Sequence, residues 1–291
     1  MTASQEFSLL MAVYAGDQPD FLVRAFRSSV HEQSRRPDEV VVVQDGPLRA
    51  ELTACLDGLV RTCPVPVRVV VLPVNVGLAC AMEAGLAQCR YDVVARMDAD
   101  DVSLPSRFAV TVPVLEAGAD LVGTGLWEIG LDEATVLGRR DPPTRPEIIA
   151  SVARWQDPFN HPSVVYRRSA VRSAGGYQDL PLLEDYWLFA RMIMAGAVVA
   201  NVSEPLVLYR VAAGAYERRG GVRLLWAEIR LQHVFLVSGF TTVGQFLRNV
   251  ALRGGYRLVP AGLRRVVYRR VVAQRGGRLE AAAAQATAPA R

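Results

Sequence analysis

Hydrophobic positions in the first hundred residues switch between two periods. Phe7 to Val13 is a continuous apolar run of strand length, the pattern of a strand buried on both faces. It ends at Tyr14-Ala15-Gly16-Asp17, where Asp17 or Asp20 is expected to cap a helix running to His31 with Phe21, Leu22, Ala25, Phe26 and Val30 on one face. Glu39 to Val43 repeats the strand pattern and stops at Gln44-Asp45-Gly46-Pro47. Leu48 to Leu59 then reads as a helix, Val67 to Leu72 as a strand, Gly77 to Cys89 as a helix and Asp92 to Met97 as a fourth strand. This β-α alternation predicts an α/β fold with a mostly parallel sheet and right-handed crossovers. The strand ends at Tyr14, Asp45 and Asp98 should then open on one edge, where a pocket belongs.

The fourth strand delivers Arg96-Met97-Asp98-Ala99-Asp100-Asp101. Carboxylate oxygens are hard ligands suited to Mg²⁺ or Mn²⁺, and acids at i and i+2 beyond a strand end can serve one diphosphate. The bland alternatives are a solvated turn, or a cap by Asp101 for the helix that follows Pro105. A dinucleotide fold requires Gly-x-Gly-x-x-Gly in the first turn, which holds only Gly16. An aspartyl-nucleophile phosphatase carries Asp-x-Asp on its first strand, not its fourth, with a later Lys. An EF-hand needs glycine where Ser103 stands.

Composition narrows the class. A chain of 291 residues, 51% hydrophobic and 21% charged, buries a substantial core, and no apolar run is long enough to span a bilayer. The N-terminus has no basic region before its first apolar stretch, and Cys55, Cys63, Cys80 and Cys89 fit neither a metal spacing nor a secreted disulfide framework. Reduced thiols in the cytoplasm are expected. All 33 basic residues are Arg, so no mechanism can use a lysine.

With these residues in view, the chain resembles glycosyltransferase family 2, of the type that builds bacterial exopolysaccharides and cell-surface polysaccharides. The resemblance is carried in order by Ser8 to Tyr14 with Asp17, Ser28 and Gln33, Pro37 to Gly46, Asn75-x-Gly77-Leu78 with Gly85, Arg96 to Asp101, Asn160-His161-Pro162-Ser163, Gly175-Gly176-Tyr177 and Glu184-Asp185. It implies a GT-A fold and inverting transfer of a sugar from a UDP- or dTDP-linked donor to a hydroxyl. It also implies roles by position. Ala12, Tyr14, Asp17, Asp45, Asn75 and Asp98 would bind the nucleotide, with Asp45 accepting a pyrimidine imide N–H, as an acceptor-only carboxylate can. Asp100 with Asp98 would hold Mn²⁺ or Mg²⁺. Asp185 would be the general base and Glu184 its alternate, unless the two acids merely favour a helix dipole over Tyr186 to Ala195.

His161 lies in a loop expected to enter a strand from Ser163 to Tyr166, and is either a positioning group toward acceptor or phosphate or a satisfied structural histidine. Tyr177 and Trp187, with Trp155, could floor a sugar site, though aromatics at such spacing also build cores. Two departures from the family limit the transfer of roles. Glu83 replaces the Asn often found before Ala84-Gly85 and is given no donor contact, and no His follows Tyr209-Arg210 as a further metal ligand.

The expected division is a catalytic domain over 1–215, a basic helical extension over 216–280 and a flexible tail over 281–291. Between Ile229 and Leu279 there is no Asp or Glu but ten Arg, interleaved with apolar residues such as Leu258, Leu263, Val266 and Val271. That pattern suits a helix on an anionic membrane, which predicts a peripheral enzyme at the inner membrane face acting on a saccharide or lipid-linked acceptor. No nucleic-acid motif is present, so nucleic acid is not an expected partner. The alternative class is a noncatalytic nucleotide-sugar or membrane-binding protein on the same fold.

Overall fold

In the computed structural model, residues 5–211 and 222–254 are described. Among these residues nine strands form one sheet. Strands β1 (Phe7–Tyr14), β2 (Glu39–Asp45), β3 (Val67–Val71) and β4 (Val93–Met97) are parallel, in the order β3-β2-β1-β4. Their crossovers are α1 (Pro19–Val30), α2 (Ala50–Thr62) and α3 (Leu78–Gln88). Beyond β4 the order continues with β8 (Val165–Arg167), β6 (Leu121–Ile129), β9 (Val199–Arg210) and β5 (Val102–Ser103), while β7 (Val136–Arg140) pairs with β6. β8 runs antiparallel to both β4 and β6, and β9 runs parallel to β6.

The apolar run of β1 follows from its central place. Phe7, Leu9, Met11 and Val13 enter one core with Phe26, Val42 and Phe108, whereas Leu10 enters another with Val43, Met82 and Phe189. Alternating side chains thus meet two apolar layers, so neither phase of the strand is polar. β3 is the edge, and its Val71 is exposed.

Two local expectations change. Asp17 does not cap α1, which begins at Pro19 behind Gln18; its carboxylate instead accepts the Tyr14 N–H at 2.9 Å. The strand expected over Ser163 to Tyr166 is a 3₁₀ turn, His161–Ser163, followed by β8. Pro162 has no N–H to give a central ladder, which delays pairing to Val165.

Helices α4 (Arg107–Glu116), α5 (Pro146–Val152), α6 (Arg168–Ser173) and α7 (Glu184–Met194) complete the body, with α8 (Val222–Val237) and α9 (Val243–Asn249) after it. Leu231, Phe235 and Phe240 pack with Tyr186, Trp187 and Ala190 of α7, so this first part of the expected extension lies against the α/β body. Arg253 follows in a π-helical segment, Val250–Gly254. The arginine-rich stretch from 255, the boundary near 215 and the tail over 281–291 fall outside the described residues.

Candidate active site

β4 ends in a charged knot. Arg96 is 2% exposed and closes as a fork on Asp98, with Nη1 donating to Oδ2 at 2.7 Å and Nη2 to Oδ1. Oxygens of Asp98, Asp100 and Asp101 lie within 4.8 Å of one another. Asp101 is fully buried; its Oδ1 accepts the Arg210 N–H at 2.8 Å, while its Oδ2 has no partner. It is not a helix cap, since α4 starts behind Ser106. Arg210 also donates from Nε to the Asp100 carbonyl at 2.9 Å, which ties the end of β9 to the acidic turn.

Burial, and then the neighbouring carboxylates, push Asp100 up to about 6 and Asp101 well above the carboxylate range. Burial likewise lifts Asp17 to about 6, with Asp100 and Asp98 adding to the effect. Negative charge here exceeds what Arg96 and Arg210 balance. A crowded hard-oxygen set with one buried, unpartnered carboxylate oxygen fits a divalent cation.

The residues expected to bind a nucleotide gather on the same sheet edge, where Tyr14 pairs in register with Asp45. Tyr14 is half exposed. Asp45 already accepts the N–H groups of Val76 at 2.7 Å and Gly77 at 3.1 Å, and Asn75 Nδ2 donates to its carbonyl at 3.3 Å. Any base N–H would have to share those carboxylate oxygens, and Asp45 is only 5% exposed. Gly46, at φ 85°, lets the two loops touch, because a Cβ there would sit 2.6 Å from the Asn75 nitrogen. Ala12 packs against the core that holds Leu10 and Val43.

Asp98 reaches from this edge into a cavity of about 700 Å³ that Glu184, Asp185, His161, Asp157 and Arg253 also line. The chain enters α7 through Leu182, at φ 75° the one non-glycine residue in the left-handed region among the described residues. Glu184 and Asp185 then form the first turn of α7, where the helix dipole favours their charge. Burial still prevails for both, and the charge of Asp185 adds to it at Glu184. Glu184 is pushed up to about 7, and Asp185 is raised chiefly by burial.

His161 Nδ1 lies 3.4 Å from Asp185 Oδ2 and its Nε2 lies 3.1 Å from the Tyr177 hydroxyl. Burial and the Arg96 charge hold the imidazole neutral. Tyr177 and Trp187 offer no open ring face for a sugar: they are 6% and 8% exposed, because their apolar area is used in packing. Trp155 is exposed but does not line the cavity. Glu83 has a structural task, accepting the Tyr177 N–H at 2.5 Å beside Gly175 and Gly176, both at positive φ. Sequence reading missed Asp157 and Arg253 as cavity residues. Asp157 sits in a loop without periodicity, and Arg253 is one arginine in a long basic run.

The sequence profile of glycosyl transferase family 2 matches residues 8–174. A glycosyltransferase of Haemophilus influenzae is 36% identical over 265 residues, covering 90% of this chain and 97% of that protein. The UDP-Gal:α-D-GlcNAc-diphosphoundecaprenol β-1,3-galactosyltransferase of Escherichia coli is 30% identical over 271 residues, covering 92% of this chain and 96% of that one. Among solved structures, the mannosyltransferase PcManGT of Pyrobaculum calidifontis in complex with GDP-Man and Mn²⁺ superposes with a TM-score of 0.60 at 17% identity, covering 98% and 81% of the two chains.

Proposed function

Since this chain belongs to glycosyl transferase family 2 and has its GT-A fold, we propose that it is an inverting hexosyltransferase using a UDP- or dTDP-sugar and a lipid-linked saccharide acceptor in polysaccharide assembly. The observation that carries this reading is one cavity lined both by Asp98 of the acidic turn and by Glu184-Asp185. A leaving diphosphate and an attacking hydroxyl need those two chemistries side by side. The lipid-linked acceptor is drawn from the Escherichia coli relative, whose name specifies a diphosphoundecaprenol substrate.

The residues divide the work as follows. Tyr14, Asp17, Asp45 and Asn75 hold the nucleoside at the sheet edge. Asp98, Asp100 and Asp101 would hold Mn²⁺ or Mg²⁺, which when bound neutralises charge on the departing nucleoside diphosphate. Asp185 takes the proton of the acceptor hydroxyl as that oxygen bonds to the anomeric carbon and the carbon–phosphate oxygen bond breaks on the opposite face. Burial suits Asp185 to this, since it raises the carboxylate's proton affinity toward the working pH. The charge of Asp185 in turn adds to burial in raising the proton affinity of Glu184 beside it.

Among the described residues no helix is long and apolar enough to cross a membrane. Attachment to an anionic bilayer through the basic stretch beyond 254 is part of the proposal. The test is a screen of nucleotide sugars by thermal shift with and without Mn²⁺, followed by transfer to a lipid-diphosphate saccharide. Metal-dependent stabilisation by one donor with product formation is expected. Donor binding without hydrolysis or transfer would instead identify a noncatalytic binding protein.

A further inference from the structure

Asp185 meets the cavity with one oxygen engaged, since its Oδ1 accepts the Tyr186 N–H at 2.7 Å. Behind its other oxygen stands a row of polar groups that the reaction above leaves idle. His161 Nδ1 is 3.4 Å from Oδ2, His161 Nε2 is 3.1 Å from the Tyr177 hydroxyl, and that hydroxyl is 3.5 Å from the hydroxyl of Tyr166. All three side chains are buried, and Phe189 stands edge-on to the imidazole at 5.9 Å. The far end is anchored too: Glu83 of α3 holds the Tyr177 backbone through the Gly175-Gly176 turn.

Donor and acceptor accounting fixes the direction of this row. An ionised carboxylate only accepts, so an imidazole presenting Nδ1 to it must carry its proton there. A neutral ring then has a bare Nε2, which takes the Tyr177 O–H, and the Tyr177 oxygen in turn takes the Tyr166 O–H. Every hydrogen points toward Asp185. We propose that His161 is a positioning residue for transfer, its Nε2 anchored on the Tyr177 hydroxyl so that its Nδ1–H holds Asp185 as an aimed anion. This rests on the reading of Asp185 as the base. The contact is long without substrates, as such contacts often are, and shortens when the acceptor hydroxyl arrives. Facing the same carboxylate are Arg96 of β4 and Asp98 just beyond it, Asp157 from the loop before His161, and Glu184 from its own helix.

Two experiments on the full chain separate this role from simple packing. Long-range ¹⁵N NMR of the histidine-labelled protein at pH 8 reads the tautomer without any transfer reaction. His161 should carry its proton on Nδ1, the reverse of the form that free imidazole side chains prefer in water. In kinetics, Asn places an amide N–H near the Nδ1 position and Gln near Nε2. His161→Asn should therefore keep kcat within about threefold, while His161→Gln and His161→Ala lower it about 10- to 100-fold with donor KM unchanged. In an Asp185→Asn background, His161→Gln should cost nothing more.

Transfer by the unaltered protein together with an Nε2–H tautomer, or equal losses in the Asn and Gln variants, overturns the role of His161 alone. No transfer by the unaltered protein overturns the catalytic reading, and this role with it. Circular dichroism and donor binding of each variant identify any that fails to fold, and the tautomer measurement then decides.

Discussion

Arg96 and Asp98, two residues apart at the end of β4, form a forked ion pair whose guanidinium is 2% exposed while the carboxylate side chain is 28% exposed. The partly open member faces the cavity and the buried member supports it. Buried Arg96 thus depends on Asp98 more than Asp98 depends on it.

Asp98→Ala should therefore destabilise the fold by about 2 kcal/mol, since it strands a buried cation. Asp100→Asn should not destabilise it in metal-free buffer, because it relieves a crowded carboxylate, yet it should abolish the effect of Mn²⁺ on donor binding. Urea denaturation of both variants checks the contrast. Equal losses of stability would mean that the fold depends on the Arg96–Asp98 pair no more than on Asp100.

Asp185→Asn should keep donor binding and lose transfer by a factor of about 10² to 10⁴. Glu184→Gln should cost less, since it keeps hydrogen-bonding capacity beside an intact base. Near-normal turnover by the Asp185 variant in a product assay would remove that residue from the role.

Stability should fall as pH rises from about 4.5 to about 7. Glu184, at about 7 in the fold against 4.5 when unfolded, and Asp17, at about 6 against 3.8, bind protons more tightly in the native state. The native protein therefore holds more protons than the unfolded chain through this window, and raising the pH favours unfolding. Without donor or metal, the melting temperature should be lower at pH 8 than at pH 5.5. Glu184→Gln should shrink that difference; an undiminished difference would exclude Glu184 as a source.

Phe235→Ala should cost about 3 kcal/mol or more, because the ring is fully buried and touches Tyr186, Trp187 and Phe240. Tyr186 adjoins Asp185, so transfer should fall as well. A loss under 1 kcal/mol in denaturant titration would show that α8 is only loosely attached to the body.

The basic stretch beyond Gly254 should bind anionic vesicles with an affinity that salt weakens, at roughly 1 kcal/mol per arginine near the surface. Co-sedimentation of the full chain and of a chain ending at Gly254 tests this. Equal binding by both would exclude the stretch as the anchor.

The parallel half of the sheet was legible because each of its elements announces itself locally. β1 and β2 are apolar on both phases, and the turns at Gly46 and Gly77 separate strand from helix. β6, β8 and β9 were harder. β8 is three residues long behind a proline-containing turn, and its place between β4 and β6 depends on partners far away in sequence. The acidic turn was visible as composition, but the fork from Arg96 was not, since a single arginine in an otherwise apolar strand shows neither its burial nor its target. The aromatic residues failed for a related reason: Tyr177 and Trp187 have the same spacing whether their rings face a sugar or a core.

The walls of the cavity come from Asp98, Asp157, Asp185 and Arg253, in segments spread along most of the chain. Bringing such segments together incurs loop-closure entropy before any contact offsets it. A growing polypeptide can pair β1 with β2 while much of its length is still to be made, but it cannot close this chamber until Arg253 has been added. Partly made chains therefore contain the acidic turn without the rest of its enclosure, so the chamber is complete only once the segment carrying Arg253 has followed.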